Sequence, residues 1–477
     1  MQWILTKLVT KLARDRGLND LNYYLSINYI ILNSNSYLMK PNKNRKIGLK
    51  EAMSIGIGGM VGGGIFAVLG LAVSLAKGGT TMAFLFAGIL ALFTAYSYTK
   101  LSLAYPDRGG TVKFINQGFG KTVFSGGINN LLWLSYIIML ALYGSAFGSY
   151  AQNMLVIGTS KTVSYHIYSS GIIIFATLIN YYSIKVVGVI EDYVVIIKLT
   201  ILLLFIGLGI YGLKGNPNLN QLSFKYWENP VQLITAGMVI FIAYEGFELI
   251  ANAVPDIRNP EKNVPKAYIY SVLFVMLLYI VIAGITVSSL PFHDIAKAQD
   301  YVLAEAAKPM IGKTGFTIIT IAALISTFSA INASLYGGSR VSYEIAEDDE
   351  LPHEFTSKLW NHPIGLLITN LATLILVNLT NLESISTAGS IGFILIFAIV
   401  NYIGFKLSKK IKGNKAISLA GFIMGILALS ILIIQQYVSN RSGVILAGTV
   451  VLACFLIEFI YKLTEKHSIN KQETILK

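Results

Sequence analysis

The chain carries a single cysteine, Cys454, in 477 residues, so an intramolecular disulfide, a CxxC redox pair and a cysteine-built metal centre are all excluded. Histidine is nearly as scarce. His166, His293, His353, His362 and His467 fall in loops, at span edges or in the tail without HExxH or other ligand spacing, so neither a metal site nor histidine catalysis is expected. No GxxxxGK[ST] segment is present, which speaks against a built-in ATP-driven pump. No nucleophile constellation of a membrane enzyme is found, and nothing calls for a cofactor. Charged residues make up only 13% of the chain, too few to cover an ordinary soluble protein.

What the chain has instead is apolar length. Hydrophobic residues reach 54% and the mean hydropathy is +0.64, values that place it among polytopic membrane proteins. A spanning helix needs about 20 mostly apolar residues. Twelve segments qualify, near 51–75, 80–104, 124–152, 167–184, 188–212, 231–254, 266–290, 314–344, 362–380, 384–406, 416–437 and 443–462. The net charge of +13 raises the question of a nucleic-acid partner, and the distribution of the 37 lysines and arginines answers it. Most lie in the two tails and in alternate loops, which is the positive-inside bias of a chain with both termini cytoplasmic. Membrane lipid, not nucleic acid, is the expected surroundings, and the plasma membrane the expected location.

Residues 1–38 read as a disordered or interfacial extension, interrupted by Asn22, Ser26, Asn28, Asn33 and Asn35, and 39–50 as a basic cytoplasmic segment. Spans one to five (51–212) and six to ten (231–406) form two candidate repeats. Spans eleven and twelve (416–462) and a cytoplasmic tail (463–477) complete the chain. The polar stretch from about 291 to 313 reads either as short helices over an outer vestibule or as a solvated loop.

Two apolar segments are interrupted. Six glycines stand in Gly56-Ile57-Gly58-Gly59-Met60-Val61-Gly62-Gly63-Gly64-Ile65-Phe66, and two carboxylates flank a glycine in Phe241-Ile242-Ala243-Tyr244-Glu245-Gly246-Phe247-Glu248. Glycine is a poor helix residue, and unpaired backbone groups at membrane depth persist only where they line a cavity or bind something. Broken helices at corresponding places in two halves of a chain point to the midplane site of an inverted-repeat transporter. The rival reading of the first segment is a packing face, since Gly58 and Gly62 alone satisfy GxxxG.

These segments resemble the amino acid–polyamine–organocation superfamily of secondary transporters. Gly58, Val61, Gly62, Gly64, Ile65 and Phe66 match its first-span pattern G-x-x-[IV]-G-x-G-[IV]-F, and span six is similar to its F-x-A-Y-x-G-F-[DE]. Asn259-Pro260-Glu261-Lys262-Asn263-Val264-Pro265 matches the following N-P-x-[KR]-x-[VLI]-P loop. Ser339 to Pro352 is similar to a fourth motif, with Asp349 in place of its usual glycine. The resemblance implies an all-α membrane protein of twelve transmembrane helices: a LeuT-type 5+5 inverted repeat with helices 1 and 6 broken, plus two C-terminal helices. It also implies an alternating-access carrier of amino acids. The likeness is to an archaeal proton-coupled carrier of broad specificity, in which a fifth-span lysine stands where sodium-coupled relatives bind the ion. Lys198 falls there, and about ten residues of rise, roughly 15 Å, put it near the midplane.

The residue expectations follow. Gly62, Gly63 and Gly64 offer backbone amides to a substrate carboxylate at the positive end of the following half-helix, beside Gly58. Carbonyls near Ala243, Tyr244 and Glu245 receive the α-ammonium, while Tyr244 and Phe247 close over the substrate. Lys198 and Glu248 handle the coupling proton, with Ser326 and Ser329 as neighbours of the lysine. Pairing of Lys198 with a span-six glutamate is the alternative, as is a sodium site at Ser326, Thr327 and Ser329. Glu245 reads equally as a selector for cationic side chains, a second protonatable group or one half of an ion pair. Pro255 replaces an acid of the family pattern, which leaves Asp256 alone and no inner ion pair assigned. A proton-coupled symporter is the leading function; an amino acid or amine exchanger, including one for cationic substrates, and a non-transporting amino-acid sensor are the alternatives.

Overall fold

A computed structural model describes residues 47–182, 184–212, 217–347, 358–359 and 362–475. The extension 1–38, the basic segment up to Lys46 and positions 348–352 of the fourth motif lie outside the described residues.

Helices dominate what is described. α1 (Leu49–Met60) and α2 (Gly64–Ala76) are followed by α3 (Thr80–Ala104), α4 (Thr111–Phe119), α5 (Val123–Met154), α6 (Lys161–Tyr182) and α7 (Ile184–Gly212). α8 (Pro230–Val239) runs through two 3-10 turns, Phe241–Tyr244 and Phe247–Leu249, into α9 (Ile250–Ala253). Then come α10 (Pro260–Ser289), the short α11 (Phe292–Lys297) and α12 (Val302–Ala306), and α13 (Lys308–Glu347). A two-residue ladder, Lys358–Leu359 with His362–Pro363, precedes α14 (Ile364–Leu379), α15 (Leu382–Lys406), α16 (Lys415–Ser439) and α17 (Arg441–Ile475).

Among the described residues nine helices are long and apolar enough to cross a membrane, and two bent pairs raise the number to eleven. The pairs are α1 with α2, bent by 47°, and α8 with Phe241–Asp256, bent by 53°. α14, at 16 residues, is shorter than the others. The chain is therefore an all-helical, multi-pass membrane protein.

Local chemistry sets the helix ends. Thr122 and Ser125 cap each other's backbone at the start of α5, and Asn229 accepts from Gln232 N at 3.0 Å just ahead of Pro230 in α8. Asn381 caps α15 in the same way, at 2.8 Å to Ser384 N. These oxygens satisfy amides that a helix start leaves open.

Burial sorts the helices into layers. The most apolar stretch of α5 is 89% buried and that of α15 is 83% buried, against 28% for α16 and 22% for α17, so α5 and α15 form the interior and the last two helices lie on the outside of the bundle. α13 packs along α5, and α10 along α3. Cys454 is buried. The 291–313 stretch is helical: α11 and α12 lay Ile295, Val302 and Leu303 into the core against α2. α13 begins at Lys308, earlier than the 314 expected, with a kink at Ile311 and Gly312. His362 and Pro363 belong to the ladder and not to a helix from 362, and the residue before a proline favours extended backbone; the helix begins at Ile364. α4, between the second and third spans, was not anticipated from sequence.

Candidate functional site

The two breaks lie against each other. A Cβ built on Gly59 would stand 2.8 Å from the Cα and O of Gly246, and one on Gly246 would stand 2.4 Å from the carbonyl carbon of Gly59. A Cβ on Gly64 would meet Ala243 Cα at 2.8 Å. Backbone therefore touches backbone. Gly246 has φ +114°, a conformation that glycine alone takes without strain, and it follows Glu245 in an extended conformation. Part of the glycine run thus serves close packing. Gly62 and Gly63 do so as well, the first against Ala330 and the second against the ring of Tyr143.

The carbonyls released by the breaks are met by protein donors. Lys198 Nζ donates to Gly58 O at 2.9 Å. The Ser326 hydroxyl reaches Gly62 O and, at 3.2 Å, Val61 O, its one proton serving one carbonyl at a time. The Tyr279 hydroxyl lies 2.7 Å from Met60 O and 3.2 Å from Ala243 O, so one side chain of α10 ties both breaks, its single proton serving one carbonyl at a time. Ser386 and Ser390 of α15 each donate to Val239 O at 2.8 Å, and Ser390 Oγ accepts from Ile242 N at 3.1 Å.

The amides at the start of α2 are treated differently. Gly63, Gly64, Ile65 and Phe66 are buried, and their N–H groups make no hydrogen bond among the described residues. Gly62, expected with the donors, is not one of them: its N–H turns back to Gly59 O at 3.3 Å, because the last turn of α1 tightens before the chain breaks. What remains is a run of unmatched donors at a helix N-terminus, where the dipole favours an anion.

Lys198 is 1% exposed and rests on the first break, which joins it to Gly58. Ser326 faces Val61 and Gly62 instead of serving the lysine alone, and Thr327 bonds back to Ala323 O of its own helix at 2.7 Å. Ser329 is buried on the same helix.

The aromatic gates are packed side chains here. Tyr244 donates to Phe84 O at 2.8 Å. Phe247 sits among Tyr98, Phe397 and Tyr268, with ring centroids 5.6, 5.2 and 6.4 Å away. Both rings are fully buried, as is Tyr143, whose ring lies against Gly63 beside the unmatched amides and which sequence reasoning missed.

The glutamates differ in their surroundings. Glu248 Oε2 accepts from Gly246 N at 2.8 Å and its Oε1 from the Tyr136 hydroxyl at 3.3 Å. Glu245 is fully buried and neither of its oxygens receives a donor. Among the described residues neither the ion pair considered for Glu245 nor the pairing of Lys198 with a span-six glutamate forms: Glu248 accepts from an amide and a phenol, and no donor reaches Glu245. No group of three or more His, Cys, Asp or Glu suited to a metal occurs among the described residues.

An ion pair forms beside Pro255: Arg108, from the loop after α3, reaches Asp256 at 3.1 Å. The backbone adds to it: Ile47 N donates to Asp256 O and Arg258 N to Ile47 O, each at 2.8 Å.

Two broken spans in backbone contact, with unmatched amides at a half-helix, stand in a chain whose family membership points to a transporter and not an enzyme. The chain belongs to the amino acid permease family, whose model matches residues 47–459. It is similar to an uncharacterized protein of Methanocaldococcus jannaschii, 34% identical over 90% of this chain and 98% of that one. It is also similar to the inner membrane transport protein YbaT of Escherichia coli, 33% identical over 81% of this chain and 90% of the other. The serine/threonine exchanger SteT of Bacillus subtilis is 27% identical over 78% and 85%. Amino-acid transport by a multi-pass membrane protein is the function this membership gives.

Proposed function

We propose that the protein is a secondary active transporter that brings amino acids across the plasma membrane together with protons by alternating access. The observation that carries the reading is the run of unmatched amides from Gly63 to Phe66, a place for the substrate carboxylate in a site otherwise supplied with donors. The α-ammonium goes to carbonyls around Ala243 and Tyr244, which retain acceptor capacity because a carbonyl has two lone pairs.

Lys198 stands on Gly58 where an ammonium repels a sodium ion, which favours the proton as the driving ion. Its proton, and that of Glu248, are the ones we assign to coupling. The eleven spans and the shorter α14 fit a twelve-helix arrangement of two five-helix repeats plus α16 and α17, with both termini cytoplasmic. Spans one, two, six and seven rock against the rest.

Exchange of one amino acid for another is the second reading, favoured by the likeness to a serine/threonine exchanger. Counterflow in proteoliposomes separates the two. Symport predicts net uptake of labelled amino acid into substrate-free vesicles under an inward proton gradient, whereas an obligate exchanger accumulates label only when the vesicles are preloaded.

A further inference from the structure

We propose that Glu245 and Glu248 form a carboxyl pair holding one proton, a second proton site besides Lys198 that is loaded and emptied during transport. This rests on the proton-coupled reading above, which gives Glu248 a coupling proton, and adds that Glu245 shares that proton and holds it.

Glu248 has the surroundings of an ionised carboxylate, with one donor on each oxygen, Gly246 N and the Tyr136 hydroxyl. Glu245, three residues before Glu248 and buried with it, has that carboxyl as its charged neighbour, and no donor reaches either of its own oxygens. Two carboxylates so close in a low-dielectric interior cannot both be ionised, and one proton on the pair resolves the repulsion. Glu245 carries it and donates to Glu248.

The groups that face the pair do not replace that proton. Tyr98 from α3, Tyr136 and Tyr143 from α5 and Tyr268 from α10 bring phenols. Neutral phenols stabilise one negative charge by donation but do not cancel two. Lys198 binds the other side of the breaks, at Gly58 O.

The position couples the pair to movement. Glu245 is the extended residue before left-handed Gly246, and Gly246 abuts Gly59. Rocking of spans one, two, six and seven against the rest moves Glu248 relative to Tyr136 of α5, and with it changes the carboxyls' hold on the proton.

The test counts protons. Purified protein in unbuffered detergent with a pH indicator is given L-alanine or L-lysine, and protons exchanged are measured per substrate bound. Glu245→Gln, whose amide still donates to Glu248, is expected to exchange one proton fewer per bound alanine than the wild type. An unchanged ratio overturns the proposal. So does a tenfold or greater loss of lysine binding with alanine binding intact, which would make Glu245 a reader of substrate charge.

If Glu245→Gln does not reach the membrane, Glu248→Gln carries the same measurement and the same two outcomes. If both variants insert and neither binds alanine, the carboxyls contact the substrate directly and the pair is not a separate proton site. If the wild type binds neither amino acid, the amino-acid reading fails by itself. The pair is then decided by infrared difference spectra, in which a protonated-carboxyl band at neutral pH must vanish on Glu245→Gln.

Discussion

Gly59 and Gly246 touch through their backbones, so that neither can carry a side chain without separating the two broken helices. A glycine in each break is needed for a different reason: at Gly59 only the space forbids a Cβ, while at Gly246 the φ of +114° forbids it as well.

Alanine at Gly246 is therefore expected to be the more damaging change. Overpacking costs about 1–3 kcal/mol, and a non-glycine residue at positive φ adds about 1–3 kcal/mol. Thermal unfolding of the purified variants should rank wild type above Gly59→Ala above Gly246→Ala, and uptake should fall in the same order. An alanine at 246 as stable and active as the wild type would remove the contact from the account.

Ser390 serves the second break twice, as donor to Val239 O and acceptor from Ile242 N. Ser390→Ala leaves a buried amide without a partner, at a cost of about 1–3 kcal/mol. Ser386 still serves Val239 O, so Ser386→Ala should cost less. A thermal-shift comparison of the two variants checks the order.

These serines show where sequence reading ran out. The breaks themselves were legible, because glycines and carboxylates are anomalous in apolar segments, and so was Lys198, a charge too deep to reach water. Ser386 and Ser390 had a fainter signal, two hydroxyls one turn apart on an apolar helix. Tyr279, one of 27 tyrosines, had none: its role depends on two carbonyls that only the fold brings together. Gly62 was misplaced among the free donors because the tightened turn that occupies its amide is set by tertiary packing. The same holds for Glu458, a carboxylate buried in α17 that accepts from Asn130 at 3.3 Å, which no pattern in the last span announced.

The Arg108–Asp256 pair is about one-third exposed on each side, so solvent screens it. Asp256→Asn is expected to change stability by less than about 1 kcal/mol. The backbone pairing of Ile47 with Asp256 and Arg258 remains, and an effect on uptake that fades with added salt is the signature to look for.

Lys198→Met keeps the stem of the side chain and removes the ammonium from Gly58 O. The fold should persist, with uptake lost or indifferent to the proton gradient. Lys198→Arg should also fail, since guanidinium does not release its proton in this range and would hold one state. Normal gradient-driven uptake by the methionine variant would dismiss the lysine from coupling.

The most direct measurement is the initial rate of labelled amino-acid uptake into proteoliposomes, across a panel of amino acids, with an inward proton gradient, an inward sodium gradient or neither. The account predicts concentrative uptake under the proton gradient, abolished by a protonophore and unaffected by sodium. Uptake driven by sodium, or equal in the presence and absence of a proton gradient, would contradict it.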